Sequence, residues 1–182
     1  AHRLPIIHPQ DNESLDALLS RAAEQLNWPR DSRDADTAFL KALMVDIADP
    51  AEATAHAAYL IRALSYSADP SMALRNLDRY LRGGATTPRE ELQRLRDNPE
   101  HLHFLSSLFA FSDYLSSVAI QHPEFLPWAM TKGRLNREKK LDQYRIHAAE
   151  WVAKISGRPQ RRAALTRFKK RELLRIGIRD LL

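Results

Sequence analysis

Apolar residues along this chain recur at intervals of three and four, and no run alternates apolar with polar over a useful length. Such spacing places a stripe on one face of each helix and argues against strands. After an arm over residues 1–11, disfavoured as helix by Pro5 and Pro9, Asn12 or Ser14 can cap a helix carrying Leu15, Leu18, Leu19, Ala22 and Leu26 to about residue 27. Trp28-Pro29 ends it, and residues 29–36 read as a loop. Phe39, Leu40, Leu43, Met44 and Ile47 form a second stripe that stops at Asp49-Pro50, and an Ala-rich helix follows over about 51–67. Asp69-Pro70, Thr87-Pro88 and Asn98-Pro99 each pair a capping side chain with a proline in the first helical turn, and Gly83-Gly84 marks a stop. Ser112 or Asp113 caps a helix with Leu115, Val118 and Ala119, and His122-Pro123 opens a short one with Phe125 and Trp128, broken at Gly133. A longer helix over about 136–155 places Leu141, Tyr144, Ala148, Trp151 and Ile155 on one face. The turn Ser156-Gly157-Arg158-Pro159 separates it from a last helix, which runs from Gln160 to the end. The expectation is an all-α fold, a compact bundle of about ten short to medium helices.

Composition agrees with that reading. Leu, Ala, Arg and Glu, all good helix formers, dominate the 182 residues, and Gly occurs only five times. There is no cysteine, which removes thiolate catalysis, disulfides and Cys-ligated metals and is compatible with a reducing cytoplasm. No apolar run approaches the ~20 residues needed to span a bilayer, so no membrane partner is expected. The start at Ala1 and the end at Asp180-Leu181-Leu182, inside a helical pattern, suggest a trimmed chain. Charge is uneven: residues 134–182 hold 15 Lys/Arg and 5 Asp/Glu, a net +10, whereas the first 133 residues hold 13 and 18, a net −5. Any polyanion-binding surface therefore belongs to the last quarter, and a domain boundary is expected near Gly133.

Motifs for chemistry are few. Asp34-Ala35-Asp36 has the form of a pair that can hold two metal ions for phosphoryl transfer, but it opens a predicted helix with no Gly-Ser turn before it. Acidic residues there complement the helix dipole. His101 and His103 stand at i and i+2, which do not share a helix face. On the last helix, Arg167, Lys170, Arg171, Arg175 and Arg179 follow one another at spacings of three and four. Arginines in such a row can grip phosphate bidentately. They can equally be a solvated face, with Glu172 and Asp180 pairing locally. A rough apolar seam runs through Leu165, Phe168, Leu173 or Glu172, and Ile176. Gly177, costly inside a helix, hints at a close approach.

Three stretches carry a resemblance: Asn76-Leu77-Asp78-Arg79-Tyr80-Leu81; Ser112-Asp113-Tyr114-Leu115 with His122-Pro123-Glu124-Phe125-Leu126; and Arg167 through Ile176 with Arg179-Asp180-Leu181. In order and spacing, over about residues 70–182, the chain resembles the glutamine-synthetase adenylyltransferase/adenylyl-removing enzyme family. The third stretch is similar to the basic helix that leads into the family's first nucleotidyltransferase domain, in its N-terminal, adenylyl-removing half. The resemblance implies a cytoplasmic enzyme that uses ATP and Mg²⁺ to attach AMP to a tyrosine of glutamine synthetase. It also implies that the enzyme removes the AMP by phosphorolysis, under control of a PII-type regulator and glutamine. The family's Gly-rich turn and Asp-x-Asp pair lie downstream of the Arg-Asp-Leu end, so no catalytic or metal-binding residue carries over and no cofactor is expected in this chain. The organisation expected is an arm over 1–11, a bundle over 12–132, and a basic segment over 133–182 leading towards a catalytic domain outside the chain. Arg167, Lys170, Arg171, Arg175 and Arg179 are candidate phosphate or active-site-edge contacts.

Two other functions compete with this one. A stand-alone helical protein-binding module would use Phe104, Phe109, Phe111, Tyr114, Phe125 and Trp128, although such residues more often fill a core. Nucleic-acid binding by the basic quarter lacks a helix-turn-helix signature or an aromatic platform.

Overall fold

A computed structural model describes residues 10, 13–25, 31–84, 87–131, 133–135 and 138–181. Nearly all of the expected arm, and the Trp28-Pro29 stop, lie outside these residues. Among the described residues there are ten helices and no strand, and no helix is long and apolar enough to cross a membrane. The fold class expected from the periodicity is the one observed.

The chain divides into two compact units, one ending at Ser116 and the other beginning at Ser117. This division falls upstream of the change in charge near Gly133. The first unit contains α1 (Leu15–Gln25), α2 (Arg33–Met44), α3 (Pro50–Ser65), α4 (Pro70–Gly83), α5 (Pro88–Asp97), α6 (Pro99–Phe111) and the start of α7 (Asp113–Gln121). Four of its helix starts follow the capping grammar. Asp49 accepts the Ala51 N–H, Asp69 accepts the Met72 N–H, and Asn98 accepts the His101 N–H. Thr87 and Glu90 form a reciprocal capping box. Each cap satisfies a helix donor that has no partner within the helix, worth about 1 kcal/mol. The loop expected over 29–36 is shorter than that, because α2 already begins at Arg33. Asp34 and Asp36 in its first turn favour an earlier start through the helix dipole.

The core of this unit is the packing of α4 on α6. Leu74, Leu77 and Leu81 from α4, and Leu102, Leu105, Leu108 and Phe109 from α6, are all fully buried. Each such side chain contributes roughly 1.5–3 kcal/mol by leaving water. Asn76, also buried, donates from Nδ2 to the Phe109 carbonyl at 3.1 Å and so satisfies an amide inside the core. Tyr80 leans on the Phe109 ring at 5.8 Å.

The second unit contains the rest of α7, then α8 (Phe125–Met130), α9 (Leu141–Val152) and α10 (Arg158–Leu181). α10 packs on α8 and α9. Gly157, at φ +87°, makes the turn into α10 and accepts the Arg161 N–H through its carbonyl. A side chain at that angle would be strained, which explains the glycine. α9 is shorter than the expected 136–155 and has no buried residue. Its predicted stripe is only half-buried at best, and Leu141 is exposed. With little apolar burial to extend it, helix forms only where local bonds support it. The seam on α10 also differs from expectation. Leu165 is exposed, while Phe168, Glu172, Leu174, Arg175 and Ile178 are buried. Two charged residues thus occupy core positions, and their partners build the site below.

Candidate functional site

The second unit holds a cleft of about 410 Å³ lined by Trp128, Arg134, Lys139, His147, Glu150, Trp151, Arg171 and Arg175. Its floor is an ionic network on one turn of α10. Glu172, 4% exposed, accepts Lys139 Nζ at 2.8 Å and Arg175 Nε at 3.0 Å. Arg175, 1% exposed, also donates from Nη2 to the Tyr144 hydroxyl at 2.8 Å and from Nη1 to the Arg134 carbonyl at 3.3 Å. Burial pushes the Glu172 carboxyl towards protonation, but the hydrogen bonds from Lys139 and Arg175 outweigh it and hold the acid below its ordinary range. The group stays ionised because the cations compensate its lost hydration.

Above this network, Arg171 sits in an aromatic cage. Its guanidinium carbon is 4.0 Å from the Trp128 ring centre, 4.1 Å from that of Trp151 and 5.6 Å from that of Phe168. Arg134 lies over Trp128 as well, at 4.9 Å. A guanidinium over an indole gains about 0.5–2 kcal/mol, depending on desolvation. Arg171 reaches Glu172 only at 3.5 Å, and its buried Nε has no hydrogen-bond partner among the described residues. Burial lowers its pKa, partly offset by Glu172, with Arg134 adding to the lowering.

The predicted basic row is therefore split. Arg171 and Arg175 line the cleft. Arg167 pairs with Glu124 at 2.7 Å and lies over the Phe125 ring, while Lys170 donates to the Gln121 side-chain carbonyl at 3.2 Å. Arg179 pairs with Asp180 at 3.2 Å in solvent. Sequence reasoning missed Trp128, Arg134, Lys139, Tyr144 and Trp151 as partners of this row. The available signal was two tryptophans among the cations of one short stretch. Of the six aromatics considered for a binding module, Phe104, Phe109 and Phe125 are buried, Trp128 lines the cleft, and Phe111 and Tyr114 are exposed.

The acidic pair in α2 does not fit a Mg²⁺ ion. Asp34 is exposed, whereas Asp36 is buried and accepts the Ser71 hydroxyl, tying α2 to α4. His101 and His103 do not converge either: His101 is half-buried, and His103 meets the edge of Tyr66 at 6.5 Å. Among the described residues no group of three His, Cys, Asp or Glu could hold a metal.

No curated protein and no solved structure matches the chain. A family model described as glutamate-ammonia ligase adenylyltransferase matches residues 102–182, which include the whole cleft and the second and third resembling stretches, whereas Asn76–Leu81 falls outside the matched residues. The segment over residues 102–182 is thus similar to an adenylyltransferase family, in line with its Ser-Asp-Tyr-Leu, His-Pro-Glu and basic-helix motifs.

Proposed function

We propose that this chain is a helical portion of a glutamine-synthetase adenylyltransferase/adenylyl-removing enzyme, and that it supports nucleotide transfer without performing it. The observation that carries the reading is the family match over residues 102–182. On this reading the ATP, the Mg²⁺ and the Asp-x-Asp pair that holds the metal belong to a nucleotidyltransferase domain outside these 182 residues. α10 borders that domain in the adenylyl-removing half. The protein partners are glutamine synthetase (glutamate-ammonia ligase) and a PII-type regulator, in the cytoplasm. In the removal reaction, a phosphate oxygen attacks the adenylyl phosphorus and the bond to the tyrosine oxygen breaks. ADP leaves and the tyrosine hydroxyl is restored.

The row on α10 divides between two tasks. Arg175 is locked in the buried network and acts as a positioning residue for α9 and α10. Arg167, Lys170 and Arg179 have side chains at the surface and are the ones able to face the active-site edge. In an adenylyltransferase that carries this sequence, R167Q/K170Q/R179Q should slow ADP release from adenylylated glutamine synthetase while thermal unfolding stays in place. An unchanged rate would remove α10 from the active-site edge.

A further inference from the structure

We infer that the cleft between α8, α9 and α10 is a binding site for a phosphate-bearing small molecule of nucleotide size, held by Arg134 and Arg171 against the indoles of Trp128 and Trp151. This goes beyond the functional reading above and does not depend on it, because it concerns a site built wholly from side chains of the second unit.

Charge is the first argument. Arg134, Lys139, Arg171 and Arg175 line the cleft against the single carboxylate of Glu150, with Glu172 beneath. The count leaves two cations in excess in a half-enclosed space. Lys139 and Arg175 spend their hydrogen bonds on Glu172. Arg134 pairs with no carboxylate among the described residues, and its guanidinium lies over the Trp128 ring. Arg171 is the residue most in need of an anion. It has lost water to two indoles, it meets Glu172 only at 3.5 Å, and its Nε has no partner among the described residues. Burial already lowers the Arg171 pKa, and an anion in the cleft would reverse that.

Shape and rigidity select the ligand. A volume of about 410 Å³ lies in the range of small-molecule sites and is concave rather than flat, which disfavours an acidic peptide. The guanidinium fork matches two phosphate oxygens at once, and stacking on both indoles fixes its plane before a ligand arrives. The apolar edges of Trp128 and Trp151 offer contact area to a planar base.

The test is calorimetric titration of the 182-residue chain with ADP, inorganic phosphate and adenosine at constant ionic strength, with tryptophan fluorescence in parallel. ADP should bind saturably and perturb Trp128 and Trp151 emission. R134Q, at an exposed position, and R171K, which keeps the charge but loses the fork, should each weaken ADP by roughly tenfold or more. R145Q, outside the cleft on α9, should bind as the parent does. ADP binding tighter than phosphate supports the site, because it adds the indole lining to the anion contacts. Four results would overturn it: no saturable binding of ADP, phosphate binding as tightly as ADP, adenosine binding as tightly as ADP, or R145Q weakening ADP as much as R134Q.

Discussion

The two units of this chain are held by different physics. In the first, α4 and α6 meet through seven fully buried Leu and Phe side chains, and the one buried amide between them, Asn76, is satisfied. In the second, the corresponding place on α10 is taken by Glu172 and Arg175, with Lys139, Tyr144 and two tryptophans around them. An apolar core tolerates loss in proportion to the volume removed. An ionic core is different, since removing one partner strands a charge in a place without water. The second arrangement costs more to keep and is harder to alter. It also positions Arg171 and Arg134 at a cleft, which an apolar seam would not do.

The sharpest way to break the comparison is R175A. It leaves Glu172 buried with one cation fewer and the Tyr144 hydroxyl without its donor, and should cost about 3–5 kcal/mol in urea unfolding of the chain. The triple variant K139M/E172L/R175M should recover most of that loss, because neither the carboxylate nor the Lys139 ammonium that pairs with it is left stranded. If R175A costs less than about 1 kcal/mol, the network is not what holds α10. Next in size is L105A in α6, expected to cost about 2–5 kcal/mol according to how far the α4–α6 contact collapses. D69A, which removes a cap from α4, should cost about 1 kcal/mol, readable as a small fall in midpoint with an unchanged slope.

The smallest effect is in pH. The Glu172 carboxyl titrates lower in the fold than its ordinary value of 4.5, where burial is outweighed by Lys139 and Arg175. The unfolded chain therefore takes up that proton first. The stabilisation is complete above about 4.5 and fades as pH falls through the lower folded value. E172Q should flatten the acid limb of the stability profile. An acid limb identical in E172Q and the parent would show that other carboxylates carry it.

The first unit was legible because its rules are local. Asp69, Thr87 and Asn98 each stand directly before a proline and are found capping their helices, and Asp49, read as a stop, caps the next helix in the same way. Leu74 through Leu81 and Leu102 through Phe109 repeat at helical spacing, and those positions form the core. The second unit was less legible. Spacing alone puts Arg167, Lys170, Arg171, Arg175 and Arg179 in one row, open to phosphate or to solvent, with Glu172 only an alternative to Leu173 on the seam. Helical spacing distinguishes faces but does not say which face a charged residue will bury. That choice is made by Trp128, Lys139, Tyr144 and Trp151, which lie 20 or more positions away in sequence from the side chains they meet on α10. The helix expected over 136–155 is shorter for a related reason: its Tyr144, Ala148 and Trp151 are only half-buried, and Trp151 lines the cleft.

The most direct test of the account is the rate of ADP formation from adenylylated glutamine synthetase, phosphate and Mg²⁺. It should be measured with this 182-residue chain alone and with an adenylyltransferase that carries the same sequence. The account predicts turnover by the longer enzyme and none by the chain alone, since on the proposed reading the acidic pair that holds the metal belongs to a nucleotidyltransferase domain outside these 182 residues. Turnover by the chain alone, or none by either protein, would contradict it.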